Sequence, residues 1–304
     1  MKAAVRAVWT SACLIGLAFR AVGEASLDAV VDGDAIVVRV NDQVFTSYKY
    51  ADGQKYPYWY PLNAPASGRS VTTETSEPYP HHHSLWIACD KVNGHNYWQD
   101  ALERGVIVST EPRIVEKDSD RIVISDICVW RTPPAPTDFI ERRTFTITAP
   151  DVSTRIIDCI FRLEAAVDIR IERTNHSLFA ARVAPELSVN AGGRLVNAEG
   201  KMSEAETFGV PSPWCDYSGV RDGEREGVAI FQHPENRWHP SPWFTRDYGF
   251  FSPTPLNWIG DEGFSMVKGE VLALRYRVVV YSGERDLSRL YGDYSQEPTP
   301  AGPR

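Results

Sequence analysis

The feature that most restricts the fold of this chain is a long succession of β-strand patterns with little helical periodicity between them. In residues 142–148, threonines alternate with Phe145 and Ile147, as in an antiparallel strand with one buried face. Residues 34–40 and 43–50 flank an Asn-Asp pair that suits a tight hairpin turn. These patterns predict a protein built mainly from antiparallel sheets.

Helical and nucleotide-binding signals are few. Residues 271–281 indicate one long central strand, and the apolar residues of 284–294 are spaced for one helix face. The sequence shows no strand–helix alternation and no glycine-rich phosphate loop, which excludes a doubly wound nucleotide-binding sheet. We therefore predict an all-β fold, a large antiparallel β-sandwich, in one domain over 26–296 with a flexible tail at 297–304.

The N-terminus predicts export. Lys2 and Arg6 precede a mostly apolar run over 7–19, and small residues end at Ala25, as at a signal-peptidase site. The run is too short for a comfortable membrane span. We expect residues 1–25 to be a signal peptide and the mature protein to be periplasmic or secreted.

Charge and cysteine content exclude two kinds of partner. The chain has 40 acidic and 32 basic residues and no Lys/Arg run, which argues against nucleic acid. Four cysteines remain after the predicted cleavage, without the paired spacing of a zinc cluster: Cys89, Cys128, Cys159 and Cys215. Export permits disulfides, and the sequence leaves their pairing open.

Two long segments, 56–100 and 214–258, lack a clear strand pattern and are rich in Trp, Tyr and His. We interpret both as ordered functional loops, because long loops in compact domains are usually functional and aromatic residues argue against disorder.

The first segment carries the residues most capable of chemistry. His81, His82 and His83 follow Pro80, and His95 lies a few residues further on. A histidine can act as general acid or base near neutral pH. Alternatively, His81 and His83 with a carboxylate such as Glu172 can bind a divalent metal. A third interpretation gives these histidines only structural hydrogen bonds, and no cofactor is certain.

The second segment mixes aromatic rings with hydrogen-bonding side chains, as a sugar site requires. It adds His233 and Arg246 to His81 and His82 as catalytic candidates. The candidate substrate-binding residues of both segments are Trp86, Asn93, Trp98, Trp214, Asp216, Tyr217, Asn236, Trp243 and Tyr248.

Several ordered motifs resemble those of the PmoA-like family of exported bacterial proteins, whose label is methane oxygenase. The matching strings are Tyr58-Trp59-Tyr60-Pro61-Leu62, Pro80-His81-His82, Ser84-Leu85-Trp86, the segments 92–94, 197–200 and 214–219, and those at 227–230, 233–234 and 243–249. The resemblance implies a function that involves carbohydrates and a β-sandwich like the galactose-mutarotase supersandwich. It places the family's paired histidines at His81 and His82. His83 stands where Arg is common in the family, and Tyr79 where His is common.

Two classes of function follow. In the first, the protein is a carbohydrate-active enzyme, a glycoside hydrolase, lyase or sugar epimerase. His81 or His82 then abstracts a proton, while Arg246 or a metal holds developing charge. In the second, it is a non-catalytic carbohydrate-binding or surface-complex β-sandwich with Trp86, Trp214 and Trp243 as stacking platforms. The histidine cluster favours the enzyme, because binding needs no titratable group.

Two structural expectations complete the hypothesis. The catalytic candidates of both segments, with Trp86 and Trp214, are expected around one pocket. His82 is expected to lie in a loop outside the core, so that replacing it with Ala removes activity and leaves stability nearly unchanged.

Overall fold

The computed structural model describes residues 25–99 and 101–298. Residues 1–24 of the predicted signal peptide and 299–304 of the predicted tail lie outside them. The signal peptide and the domain limits therefore stay predictions. Among the described helices, none is long and apolar enough to cross a membrane.

The described residues form twenty β-strands. These are β1 (Leu27–Asp32), β2 (Ala35–Val40), β3 (Gln43–Lys49), β4 (Tyr58–Leu62), β5 (Leu85–Val92), β6 (His95–Asn96), β7 (Val106–Ser109), β8 (Arg113–Lys117), β9 (Arg121–Arg131), β10 (Phe139–Asp151), β11 (Thr154–Ala165), β12 (Ile169–Ile171), β13 (Ser177–Arg182), β14 (Arg194–Asn197), β15 (Trp214–Arg221), β16 (Glu224–Gln232), β17 (Trp243–Arg246), β18 (Phe250–Pro253), β19 (Phe264–Met266) and β20 (Val271–Ser282).

The described part of the chain contains few helices, and all of them are short. The two α-helices are α1 (Ser203–Thr207) and α2 (Leu287–Ser295). Single 3₁₀ turns occur at Leu102–Arg104, Pro185–Leu187, Val189–Ala191 and Pro255–Asn257.

The strands form two antiparallel sheets. An eleven-stranded sheet has the order β1-β2-β3-β4-β5-β13-β18-β17, with β6 and β12 paired to β5 and β19 paired to β12. A nine-stranded sheet has the order β14-β15-β16-β20-β11-β10-β9-β7, with β8 paired to β9.

The two sheets pack face to face around an apolar core. Phe179 of β13 stacks on Tyr276 of β20 with ring centroids 4.7 Å apart. Trp59 of β4 meets Phe145 of β10 at 5.0 Å. Aromatic rings from both inner faces thus interdigitate, as in a β-sandwich. The predicted all-β class and large antiparallel β-sandwich are confirmed.

Clear sequence patterns gave the right elements. The predicted hairpin is β2–β3, and its turn residues Asn41 and Asp42 have φ angles of 50° and 63°. These left-handed angles are what a tight turn between twisted strands requires. The predicted long strand is β20, and the predicted helix is α2, which begins three residues later than expected.

The prediction of two irregular segments is wrong. Residues 56–100 contain β4, β5 and β6, and 214–258 contain β15 to β18. In both β5 and β15 all but one residue is buried. A strand covered on both faces has no polar side to alternate with its apolar side, so its period of two is hidden.

Candidate functional site

His81, His82 and His83 of the first segment lie on the outer face of the eleven-stranded sheet. Successive side chains of a strand point to opposite faces. Phe179 points into the core, so Trp86 and Asp90 of β5 point outward, as does Arg182 of β13. Arg182 is paired with Phe250 of β18, which shares this outer face. Three neighbouring strands therefore form the floor of the site.

Residues 73–84 lie over this floor, and the buried side chain of His82 connects them to it. The His82 ring lies 4.7 Å from the Phe250 ring and 5.7 Å from the Trp86 ring, with Tyr79 stacked at 5.1 Å. Only 4% of His82 is exposed, and its Nδ1 has no hydrogen-bond partner. His82 therefore packs as an aromatic ring.

Burial also removes His82 from proton chemistry. It lowers the pKa of His82 to about 2, and the neighbouring charge on His81 acts in the same direction. An imidazole with that pKa stays neutral near neutral pH and is a poor general base. His82 lies in a loop before β5, as expected, but the expectation that its truncation opens little core is wrong, because Phe250 and Trp86 pack against it.

A histidine–carboxylate pair lies beside this cluster. His176 Nδ1 is 3.0 Å from Asp90 Oδ2. Thr174 donates its hydroxyl to Asp90 Oδ1, and the Trp98 ring stacks on His176 at 5.6 Å. These contacts fix the imidazole plane and favour the tautomer with the proton on Nδ1.

This pairing leaves the other nitrogen of His176 as the basic atom. The His176 side chain is 25% exposed, so part of the ring is accessible from solvent. The His81 ring lies 6.2 Å away. Two imidazoles and one orienting carboxylate thus share one place, which is an arrangement suited to general acid–base chemistry.

A buried arginine completes the cluster. The Arg182 guanidinium lies 4.3 Å over the Tyr248 ring, and Tyr248 stacks on Tyr79 at 5.0 Å. Arg182 is 3% exposed and donates to Ser76 Oγ at 3.0 Å, while its Nε and Nη1 have no partner. Burial lowers the pKa of Arg182 from its usual value and raises that of Tyr248 to about 12. Two guanidinium nitrogens are therefore buried beneath the aromatic rings without a hydrogen-bond acceptor.

Glu74 anchors the covering segment to the sheet. Its carboxylate accepts from Tyr58 Oη at 2.7 Å and Lys49 Nζ at 2.5 Å. His83 stacks on Tyr58 at 5.0 Å and bonds through Nδ1 to the Glu74 carbonyl at 2.9 Å. His83 therefore has a role in holding residues 73–84 in place.

The expected single pocket is wrong. His233 bonds through Nε2 to the Glu297 carbonyl at 3.1 Å and contacts Tyr294 of α2. Trp214 packs on Phe231 beneath α2. These residues lie on the outer face of the nine-stranded sheet, across the whole sandwich from His82. The grouping failed because the second segment divides between the sheets: β15 and β16 join the nine-stranded sheet, whereas β17 and β18 join β4 and β5 in the eleven-stranded sheet.

The remaining predicted residues divide between the two sheets. Arg246 lies on the outer face near Phe250, but Glu204 binds its guanidinium at 2.8 Å. The others make structural contacts: Trp243 donates to the Ser212 carbonyl, Tyr217 to the Arg246 carbonyl, Asn93 to Asp138, and Asn236 to the Arg275 carbonyl, while Asp216 accepts from Tyr281. The structure thus brings together His81, His82, His83, Trp86, Trp98 and Tyr248.

The proposed metal ligands do not form a group. Glu172 is exposed, and the His83 ring is turned to the Glu74 carbonyl. In the described parts of the chain, no set of three His, Cys, Asp or Glu side chains is arranged to hold a metal ion.

Sequence reasoning missed Asp90, His176 and Arg182. Asp90 and Arg182 each stand in a strand that is otherwise mostly apolar. A charged side chain in a buried run is the signal that could have found them, since charges are rarely buried without a role.

These features define an antiparallel β-sandwich protein with a His–Asp pair and a buried arginine among aromatic rings on one outer sheet face. Residues 35–292 match DUF6807, a family of unknown function, and the chain belongs to that family. The identification as PmoA-like is therefore wrong: the matching family is DUF6807, and nothing indicates a methane oxygenase.

Three solved structures show distant similarity. A proposed aldose 1-epimerase from Escherichia coli K12 has 11% identity and a TM-score of 0.35, over 86% of this chain and 100% of its own. A proposed kojibiose phosphorylase from the human microbiome has 9% identity and a TM-score of 0.33, and the match covers 89% of this chain and 33% of the phosphorylase chain. A heparinase III has 10% identity and a TM-score of 0.31, and the match covers 87% of this chain and 35% of the heparinase chain.

Likenesses this weak carry no conclusion about what this chain binds. No curated protein matches the sequence.

Proposed function

We propose that this protein is a carbohydrate-active enzyme whose general base is His176, held by Asp90. The 3.0 Å contact between His176 Nδ1 and Asp90 Oδ2, beside His81, is the observation that carries the proposal. A carboxylate on Nδ1 orients the imidazole and stabilises the imidazolium that forms when the other nitrogen takes a proton.

The other groups have complementary roles. His176 takes a proton from a carbon beside a carbonyl or from an anomeric hydroxyl, and the positive charge of the nearby Arg182 stabilises the negative charge left on the substrate oxygen. His81 delivers a proton from the neighbouring position. Tyr79, of which 36% is exposed, offers a ring against which a sugar can pack.

The side chains favour epimerisation or elimination over glycoside hydrolysis. Most glycosidases need two carboxyl groups flanking the scissile bond. At this site Asp90 is bound to His176 and Thr174, and Glu74 is bound to Lys49 and Tyr58. Two imidazoles and a guanidinium suit proton abstraction next to a carbonyl instead.

The test is proton exchange in D₂O. Neutral aldoses and ketoses, 3-keto glycosides and uronides are incubated with the protein, and deuterium incorporation, epimers or unsaturated products are followed by NMR. Changing His176 to Gln should lower the rate by about 10²–10⁴-fold.

A matched control is available in His95, which makes a similar pair with Asp138 at 2.7 Å outside the site. His95→Gln should keep the turnover of the wild type. Full turnover in His176→Gln would refute the assignment. Sugar binding without any turnover, unchanged in that variant, would support the carbohydrate-binding alternative.

Export belongs to the same proposal. It rests on the N-terminal sequence pattern, and fractionation of the source cells, with N-terminal sequencing of the mature chain, tests it. A mature chain that keeps residues 1–25 in the cytoplasm would contradict it.

A further inference from the structure

A cavity of about 160 Å³ lies on the other side of the sandwich, on the outer face of the nine-stranded sheet. Strands β14, β15, β16 and β20 form its floor, and the start of α2 forms its rim. Its walls include Arg194, Trp214, Asp216, Arg225 and Tyr281. It shares no residue with the His176 site.

Asp216 is the central polar group of this cavity. Only 3% of the residue is exposed, and both carboxylate oxygens lie within 3.0 Å of Tyr281 Oη. A carboxylate has about four acceptor positions, so the hydroxyl groups of Tyr281 and Ser218 together leave acceptor capacity toward the cavity. Burial raises the pKa of Asp216 to about 7, as expected where no cation pairs directly with a buried acid.

Gly227 makes this arrangement sterically feasible. A Cβ at Gly227 would lie 2.6 Å from Tyr281 Oη and 2.8 Å from Ser218 Cβ. Any other residue would push the phenol away from Asp216. Tyr281 can therefore lie across the sheet and hold the carboxylate at the cavity floor.

The charges around the cavity balance. Arg194, Arg225 and Arg285 oppose Asp216, Glu284 and Asp286, and Arg225 donates to Glu284 at 2.7 Å. A strongly charged ligand would gain little from such a lining. Trp214 adds a flat apolar wall, which suits the face of a sugar ring.

From this geometry we infer that the cavity is a second binding site, which takes a neutral hydroxylated ligand of the size of one monosaccharide ring. Asp216 accepts hydrogen bonds from its hydroxyls and Trp214 packs against its apolar face. The volume exceeds many times the ~10–15 Å³ that one water needs and falls below the ~300–1,000 Å³ of sites for drug-sized molecules.

Binding is measured by calorimetry and saturation-transfer NMR at pH 8 with D-glucose, D-galactose and D-mannose, and with D-glucuronate and D-glucosamine as charged counterparts. At least one neutral sugar should bind better than both charged ones. Asp216→Asn removes the charge while keeping the shape of the side chain. The variant should bind the neutral sugar about tenfold or more weakly, since hydrogen bonds to charged groups are the stronger ones.

A second variant covers the case in which Asp216→Asn fails to fold. Ser288 lines the rim of the cavity and is exposed, so Ser288→Trp should fill the space and abolish binding. His176→Gln is the control and should keep this binding.

Three results would overturn the inference: no neutral sugar binding at millimolar concentration, binding unchanged in both cavity variants, or binding lost in His176→Gln. Loss of turnover in His176→Gln with this binding intact would separate the two sites.

Discussion

At the scale of single residues, the same side-chain type has opposite roles in this protein. His82 and His176 lie in one cluster, yet His82 is enclosed by rings while His176 bonds to a carboxylate and reaches the surface. The chemistry of a histidine is set by its burial and its partner. Neither property is visible in a run of three consecutive histidines.

Replacing His82 with Ala should destabilise the protein. The change removes a ring packed on Phe250 and Trp86, and a large-to-small change at such a site costs about 2–4 kcal/mol of unfolding free energy. Urea unfolding followed by tryptophan fluorescence measures it. His81→Ala, at a partly exposed position, is the control and should cost less. An unchanged midpoint for His82→Ala would show that the buried ring contributes little to stability.

Asp216 should make stability depend on pH. Folding raises the pKa of Asp216 from 3.8 to about 7, so the folded state keeps a proton that the unfolded chain releases. The free energy of unfolding therefore falls as pH rises from about 4 to about 7, by at most about 4 kcal/mol.

Asp216→Asn removes this dependence and keeps an acceptor for Tyr281. The variant should gain stability relative to wild type between pH 4 and pH 8, as measured by urea midpoints at several pH values. A constant difference across that range would contradict the raised pKa.

At the scale of secondary-structure elements, predictability followed the clarity of the local sequence pattern. Strands β2, β3 and β20 and helix α2 have recognisable patterns and were predicted within a few residues. Strand β5, which carries Asp90, was not predicted because both of its faces are covered. The candidate site therefore fell in the part of the chain with the weakest pattern. Its pairing with β13 depends on tertiary contacts that no local window contains.

Glu74 should control the order of the covering segment. Glu74→Ala removes the acceptor shared by Lys49 and Tyr58, so amide hydrogen exchange over residues 75–83 should become faster while the core strands keep their protection. Glu164→Ala, which breaks the surface pair with Arg142, is the matched control and should leave that segment unchanged. Unchanged exchange in Glu74→Ala would show that the histidine contacts hold the segment alone.

At the scale of the whole molecule, two sheets separate two different outer surfaces. One carries the His176 site and the other the Asp216 cavity. Sequence reasoning predicted the sandwich correctly because sandwich packing leaves a period of two in many strands. It placed His233 and Trp214 in the wrong group because the two segments resemble each other in composition. Composition does not specify which sheet a strand joins.

The four cysteines of the described chain are buried and free. Burial raises the pKa of each thiol above its usual range, so the reactive thiolate is disfavoured. Ellman's reagent should label none of them in the native protein and all four in guanidinium chloride. Fewer than four in denaturant, without a reductant, would indicate a disulfide.

The pairing of β5 with β13 also has a kinetic consequence. Asp90 and His176 are far apart in sequence, and β6 to β12 lie between the two strands. Contacts of such high sequence separation form late and slowly, because the entropy of closing the intervening chain is lost before the contact stabilises anything. The contact between His176 and Asp90 is thus formed by a highly non-local step in folding. A nascent or partly folded chain forms its local hairpins before it brings Asp90 and His176 together.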